Sequence, residues 1–203
     1  SHAAAYGYLS YTTAYLKANY PSEWMASLMT CDQDDLTKVA KHIREAQSMG
    51  IEILSPDVNE SRSNFVGTEK GIRFAMGGIK GVGAGVVEEI IRKRKTPFTS
   101  LYDFCKRIET SKVGKKVIEL LIEAGCFDFT GWTRAELLVS LESVYLSSDR
   151  EKKEASKGFI DFFAEDLAQE FNSPPQGVVP PPIEKILSRE KGLLGFYLTG
   201  HPM

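Results

Sequence analysis

One pattern in the sequence combines residue types and spacing that could do chemistry: Ile79-Lys-Gly-Val-Gly83, followed by Val87 and Ile90. An apolar residue, any residue, a glycine, an apolar residue and a second glycine spell a tight turn that leads into a helix. The two glycines allow a close hairpin and the near approach of a phosphate. Unpaired N–H groups at the start of the next helix can donate to phosphate oxygens, helped by the helix dipole. Lys80 and the Arg92-Lys-Arg-Lys95 cluster add cations. Such a helix-hairpin-helix would hold the DNA backbone and read no sequence. The residues expected to carry it are Ile79, Lys80, Gly81, Val82, Gly83, Arg92 and Arg94. An ordinary glycine-rich turn between helices fits the same letters, but the apolar frame and the local basicity favour phosphate.

A second hairpin is expected downstream. Lys112, Lys115 and Lys116 open one helix, and residues 124–131 (Ala-Gly-Cys-Phe-Asp-Phe-Thr-Gly) link it to another bearing Arg134. This link lacks the Gly-x-Gly spacing. Two readings stay open: a degenerate hairpin that only completes the fold, or one that touches phosphate through these lysines and Arg134.

Other chemistries find little support. Cys31, Cys105 and Cys126 are scattered and odd in number, which argues for free thiols over disulfides or zinc. His2, His42 and His201 lack metal-ligand spacing. The sequence contains neither Gly-x-x-x-x-Gly-Lys-Ser/Thr nor Gly-x-Ser-x-Gly. A nucleotidyltransferase needs clustered carboxylates for its metal ions. Asp32, Asp34 and Asp35 are the nearest candidates, and a helix cap explains them more simply. Neither a catalytic residue nor a metal ligand is therefore assigned.

The elements that must position the hairpin are mostly helical. Residues 3–18 contain no proline and place Tyr8, Tyr11, Tyr15 and Leu16 at helical spacings. Pro21 suits the first turn of a second helix. The 32–35 turn offers a cap for a third, with Leu36, Val39, Ala40, Ile43 and Ala46 as its stripe and Gly50 as its stop. Residues 51–59 read as extended, and two short strands are predicted at 64–66 and 72–74. Helices follow over 84–94, 100–108, 112–124 and 133 to about 146. The charged residues after 147 and the proline-rich 172–182 read as linker, interrupted by an apolar island, Phe159-Ile-Asp-Phe-Phe163. A last helix spans 183–194. The fold class is mainly α, with one or two short β-strands at a junction.

Charge is distributed unevenly. Residues 65–134 hold 13 Lys/Arg against 8 Asp/Glu, inside a chain whose net charge is −2. A basic middle in an acidic chain points towards a polyanion. No apolar run nears the ~20 residues that span a bilayer and no leader opens the chain, so a cytoplasmic protein without a membrane partner is expected.

At this point the residues invite comparison with a family. Residues 1–21, Pro56-Asp-Val-Asn-Glu-Ser61, Gly71-Ile-Arg-Phe74, residues 79–83, Phe98-Thr-Ser-Leu-Tyr-Asp-Phe-Cys105, Ala124-Gly-Cys-Phe-Asp128 and residues 194–202 closely resemble the alpha subunit of bacterial replicative DNA polymerase III. They occur in the family's order and cover nearly the whole chain.

The resemblance implies four parts: the end of a fingers domain (1–64), a tandem helix-hairpin-helix DNA-binding domain (65–147), a flexible linker (148–182) and the approach to an OB-fold (183–203). It implies DNA replication as the setting. The parent would be a DNA-directed DNA polymerase, a nucleotidyltransferase using Mg2+, whose catalytic aspartates lie upstream; this stretch alone would need no cofactor. Ser1 and His2 would lie near the sugar of the incoming nucleotide. The island would bind the sliding clamp through Asp161, Phe162 and Phe163, with Phe159 standing where the family's peptide has Gln. Double-stranded DNA, the clamp and other replicase subunits are the implied partners. Two rivals are a helix-hairpin-helix repair enzyme, such as a ligase or nuclease, and a helical scaffold that binds only protein.

Overall fold

A computed structural model describes residues 2–156, 171 and 173–200 of the chain. It begins with three helices, α1 (His2–Asn19), α2 (Pro21–Cys31) and α3 (Leu36–Ser48). Pro21 opens α2, where its missing N–H costs nothing. Asp35 caps α3, accepting from Thr37 N at 3.0 Å and Lys38 N at 3.2 Å. Val39, Ile43 and Ala46 form the buried stripe of α3. The helix then closes with Gly50 N–H donating to Gln47 O and Ile51 N–H to Ala46 O, both at 3.0 Å, a Schellman arrangement. The carboxylates of Asp32 and Asp35 are structural here. Asp32 receives His42 Nε2 at 2.8 Å and Lys38 Nζ at 3.2 Å, and these contacts hold it below the usual carboxylate range.

Three strands follow, one more than predicted: β1 (Ile53–Leu54), β2 (Val66–Thr68) and β3 (Gly71–Arg73). The order is β1-β3-β2, with β3 parallel to β1 and antiparallel to β2. The extended 51–59 segment thus supplies a strand because β3 returns beside it. Gly71, at φ +143, makes that return possible: a Cβ there would collide with Glu52 O. Phe65 N–H donates to Thr30 Oγ1 at 3.1 Å, which lays the sheet on α2.

The remaining helices are α4 (Ala84–Lys93), α5 (Leu101–Arg107), α6 (Lys115–Glu123), α7 (Arg134–Ser156) and α8 (Ile183–Leu194). One buried cluster runs without interruption from Met25 on α2 to Leu194 on α8. At its centre Phe104 meets Phe98 and Phe127 edge-on, each with ring centroids 4.9 Å apart.

The end of α7 corrects the sequence reading. The charged residues after 147 are helical, because their charges find partners on α5. Lys152 Nζ donates to Cys105 O at 2.5 Å and Ile108 O at 2.7 Å, the orphan carbonyls at the end of α5. Glu151, buried, accepts from Tyr102 Oη and pairs with Lys106 at 3.0 Å. The proline-rich residues 173–182 are irregular, as expected. Ser1 and the 159–163 island lie outside the described residues.

Candidate nucleic-acid interface

The Gly-x-Gly pattern folds into a turn and a helix start. A single 3-10 turn, Met76–Gly78, stands where a full first helix would be, and Ile79 and Val82 are buried on either side of exposed Lys80 and Gly81. Val82 N–H donates to Ile79 O at 3.0 Å, closing a four-residue turn whose third residue, Gly81, has φ +89. That angle is what a type II turn demands and what a Cβ would resist. A Cβ on Gly81 would also sit 2.8 Å from Leu120 Cδ1 on α6.

Gly83 is the N-cap of α4 (φ −78, ψ 157), without a side chain to satisfy the helix start. Its carbonyl receives Val86 N at 3.0 Å and Val87 N at 3.3 Å. Among the described residues, the N–H groups of Gly83, Ala84 and Gly85 have no acceptor. All three residues are exposed, and added Cβ atoms at Gly83 and Gly85 would meet open space. Three bare donors at a positive helix end, unscreened by side chains, fit a phosphate group.

The second hairpin is not where the sequence reading put it. Residues 124–131 form a 3-10 turn, Asp128–Thr130, leading into α7. The counterpart of the first hairpin lies between α5 and α6. Val113 is buried like Val82, and Gly114 caps α6 at φ −69, ψ 156, nearly the Gly83 values. Gly114 O receives Val117 N at 2.9 Å and Ile118 N at 3.3 Å, repeating the first hairpin's bonds. The cue in the sequence was Val113-Gly114 followed by Ile118 and Leu121, aligned with Val82-Gly83, Val87 and Ile90. It was masked because Lys112 stands where Gly81 would, and this loop turns without a left-handed residue.

The cations divide into three groups. Lys80 is exposed, with no ion pair among the described residues. Lys112, Lys115, Lys116 and Arg92 face the hairpins but are held by carboxylates. Lys116 pairs with Glu119 at 2.9 Å, Lys115 with Glu142, and Lys112 with Glu109 at 3.3 Å. Arg92 pairs with Glu89 at 2.6 Å and Glu109 at 2.7 Å. Arg94 and Arg134 are turned into the fold. Arg94 Nη1 donates to Ser61 O at 2.8 Å and Val58 O at 2.9 Å, and burial lowers its pKa. Arg134 bridges Asp128 at 2.9 Å and buried Glu190 at 2.7 Å. Burial alone would lower its pKa; these carboxylates hold it above the ordinary value.

Sequence reasoning collected the cations and missed the buried carboxylate that gathers Arg92, Lys93 and Lys112. Glu89 Oε1 accepts Glu109 N–H at 3.2 Å while Oε2 holds Arg92, so α4 of the first hairpin is tied to the loop of the second. His2 lies in the first turn of α1, edge-on to Tyr6 at 4.7 Å. Among the described residues no helix is long and apolar enough to cross a membrane.

Two glycine-capped helix starts, each behind a buried valine, repeat one hairpin geometry, and residues 50–137 match the helix-hairpin-helix motif family. Over its whole length the chain is homologous to one segment of the DNA polymerase III alpha subunits. It is 51% identical over 209 residues to the alpha subunit of Chlamydia pneumoniae and 41% identical to those of Escherichia coli K12 and Thermus aquaticus. In each case all of the chain is matched, but only 16–18% of the relative, so it spans about a sixth of their length.

Proposed function

We propose that this chain is a non-catalytic segment of a replicative polymerase that grips the backbone of duplex DNA through its two hairpins. The observation that carries the reading is the trio of exposed, unpaired amides at Gly83–Gly85, repeated in backbone geometry at Gly114. In the longer protein it would steady primer-template DNA during template-directed synthesis. Magnesium would belong to carboxylates elsewhere in that protein. Here Asp32 is held by His42 and Lys38 and Asp35 caps α3, so the 32–35 turn does not suit a metal ion.

Fluorescence anisotropy with a short plain duplex tests the grip. Affinity should be modest, independent of sequence, and should fall along a straight line of log K against log salt. Binding that ignores salt contradicts phosphate contact; no binding at low salt leaves the protein-scaffold reading. Primer extension by this chain with magnesium and deoxynucleotides should be nil, and incorporation that survives rigorous purification would overturn the non-catalytic assignment.

The 159–163 island is proposed as a clamp-docking peptide, with Ser1 and His2 near the incoming sugar. A peptide spanning residues 156–166, titrated into the matching clamp, should bind at micromolar level. It should lose binding when Phe162 and Phe163 are both replaced by Ala, since buried aromatic rings would supply most of the energy.

A further inference from the structure

A groove of about 420 Å³ opens beside the first hairpin, lined by Lys80, Leu120, Ser188, Arg189, Gly192 and Leu193. It joins three elements: the hairpin turn, α6 and α8. Lys80 belongs to both the groove and the phosphate-facing turn, and its backbone N–H donates to Leu193 O at 3.0 Å, which pins the turn to α8. Ser188 and Gly192, one helical turn apart, are exposed, and a Cβ on Gly192 would meet nothing. Arg189 is fixed at the lip by Glu123 through contacts of 3.0 and 2.5 Å. No carboxylate is among the groove's lining residues, and neither the Lys80 ammonium nor the Ser188 hydroxyl has a partner among the described residues.

We propose that this groove receives a further backbone phosphate of the duplex held by the first hairpin, with Lys80, Ser188 and Arg189 as donors and Gly192 leaving room for the strand. The proposal rests on the duplex-binding reading and extends it to α8, which lies outside the residues matched to the helix-hairpin-helix family. The chemistry is that of a phosphodiester: it needs cations and a hydroxyl donor, a lining free of carboxylates, and small residues at the approach. All are present on surfaces that adjoin the Gly81 turn, so a strand leaving the hairpin would run directly over them.

The test adds and removes charge at an exposed position. Ser188→Lys and Ser188→Glu are compared with Val139→Lys and Val139→Glu on α7, where Val139 is 60% exposed. Anisotropy is recorded with a short duplex across a salt series. Ser188→Lys should tighten binding about threefold and steepen the salt slope by about 1, one phosphate's worth of counterion release. Ser188→Glu should weaken binding several-fold, while the Val139 pair shifts little in either direction. If the glutamate variant fails to fold, the lysine variant still decides. Should the unmodified chain bind and the two Ser188 variants behave like their Val139 counterparts, the groove is not a phosphate site, although the hairpin reading survives. Should the unmodified chain not bind duplex at any salt, both fall together.

Discussion

The two hairpins share a backbone and a buried apolar frame and differ in the side chains at the helix start. Gly83 and Gly114 adopt almost the same angles and accept the same pair of bonds. At the first, α4 opens with Ala84 and Gly85, so a phosphate would meet only N–H groups and the unpaired Lys80. At the second, α6 opens with Lys115 and Lys116, each already paired with a glutamate. Paired lysines must give up Glu142 or Glu119 before they can serve a phosphate, whereas bare amides give up only water. The comparison teaches that counting cations misplaces the grip: the less charged helix start should bind more tightly.

The largest consequence is a difference between two matched variants. Gly83→Asp should reduce duplex affinity by about thirtyfold or more, by putting a carboxylate where a phosphate would sit. Gly114→Asp should cost only about fivefold. Both should fold normally, because Asp is a favoured N-cap and gains a few tenths of a kcal/mol over Gly. Equal losses in an anisotropy titration would erase the proposed asymmetry.

Stability should break the symmetry in a second way. Gly81→Ala forces a side chain into φ +89 and against Leu120, and should lower the unfolding free energy by about 1–2 kcal/mol. Lys112→Ala, at the equivalent place in the second hairpin, should cost less than half of that in a denaturant melt. A smaller effect sharpens the account of Lys115. Glu142→Gln removes its partner and should raise duplex affinity about twofold with a steeper salt slope. An unchanged slope would mean Lys115 does not reach DNA.

The pH profile offers the smallest effect and reports on packing beneath the second hairpin. Burial pushes the Cys105 thiol up to about 12, and Cys126 also rises. A pKa raised on folding stabilises fully below the unfolded value, about 9, and loses that contribution as pH climbs towards 12. Stability should therefore decline above about pH 9, and a thiol reagent at neutral pH should modify exposed Cys31 alone.

Much of this was legible in the sequence because local signals coincided. Pro21, the Asp35 cap, the Val39-Ile43-Ala46 stripe and Gly83 before an apolar-periodic stretch each fixed an element through its own neighbours. What escaped depended on distant partners. The end of α7 reads as a solvated charge run until α5 presents carbonyls to Lys152. β1 reads only as part of an extended segment until β3 arrives beside it. Arg94 and Arg134 look like phosphate ligands until buried acceptors claim them, and Gly114 lacked the preceding glycine that marks Gly81.

The central claim is that bare amides at the start of α4 take the phosphate, and amide NMR of the chain titrated with a short duplex at low salt tests it most directly. The account predicts that the Gly83, Ala84 and Gly85 cross-peaks move furthest, those of Gly114, Lys115 and Lys116 less, and that added salt reverses both. Duplex binding that leaves the 83–85 amides unmoved while other cross-peaks shift would contradict it.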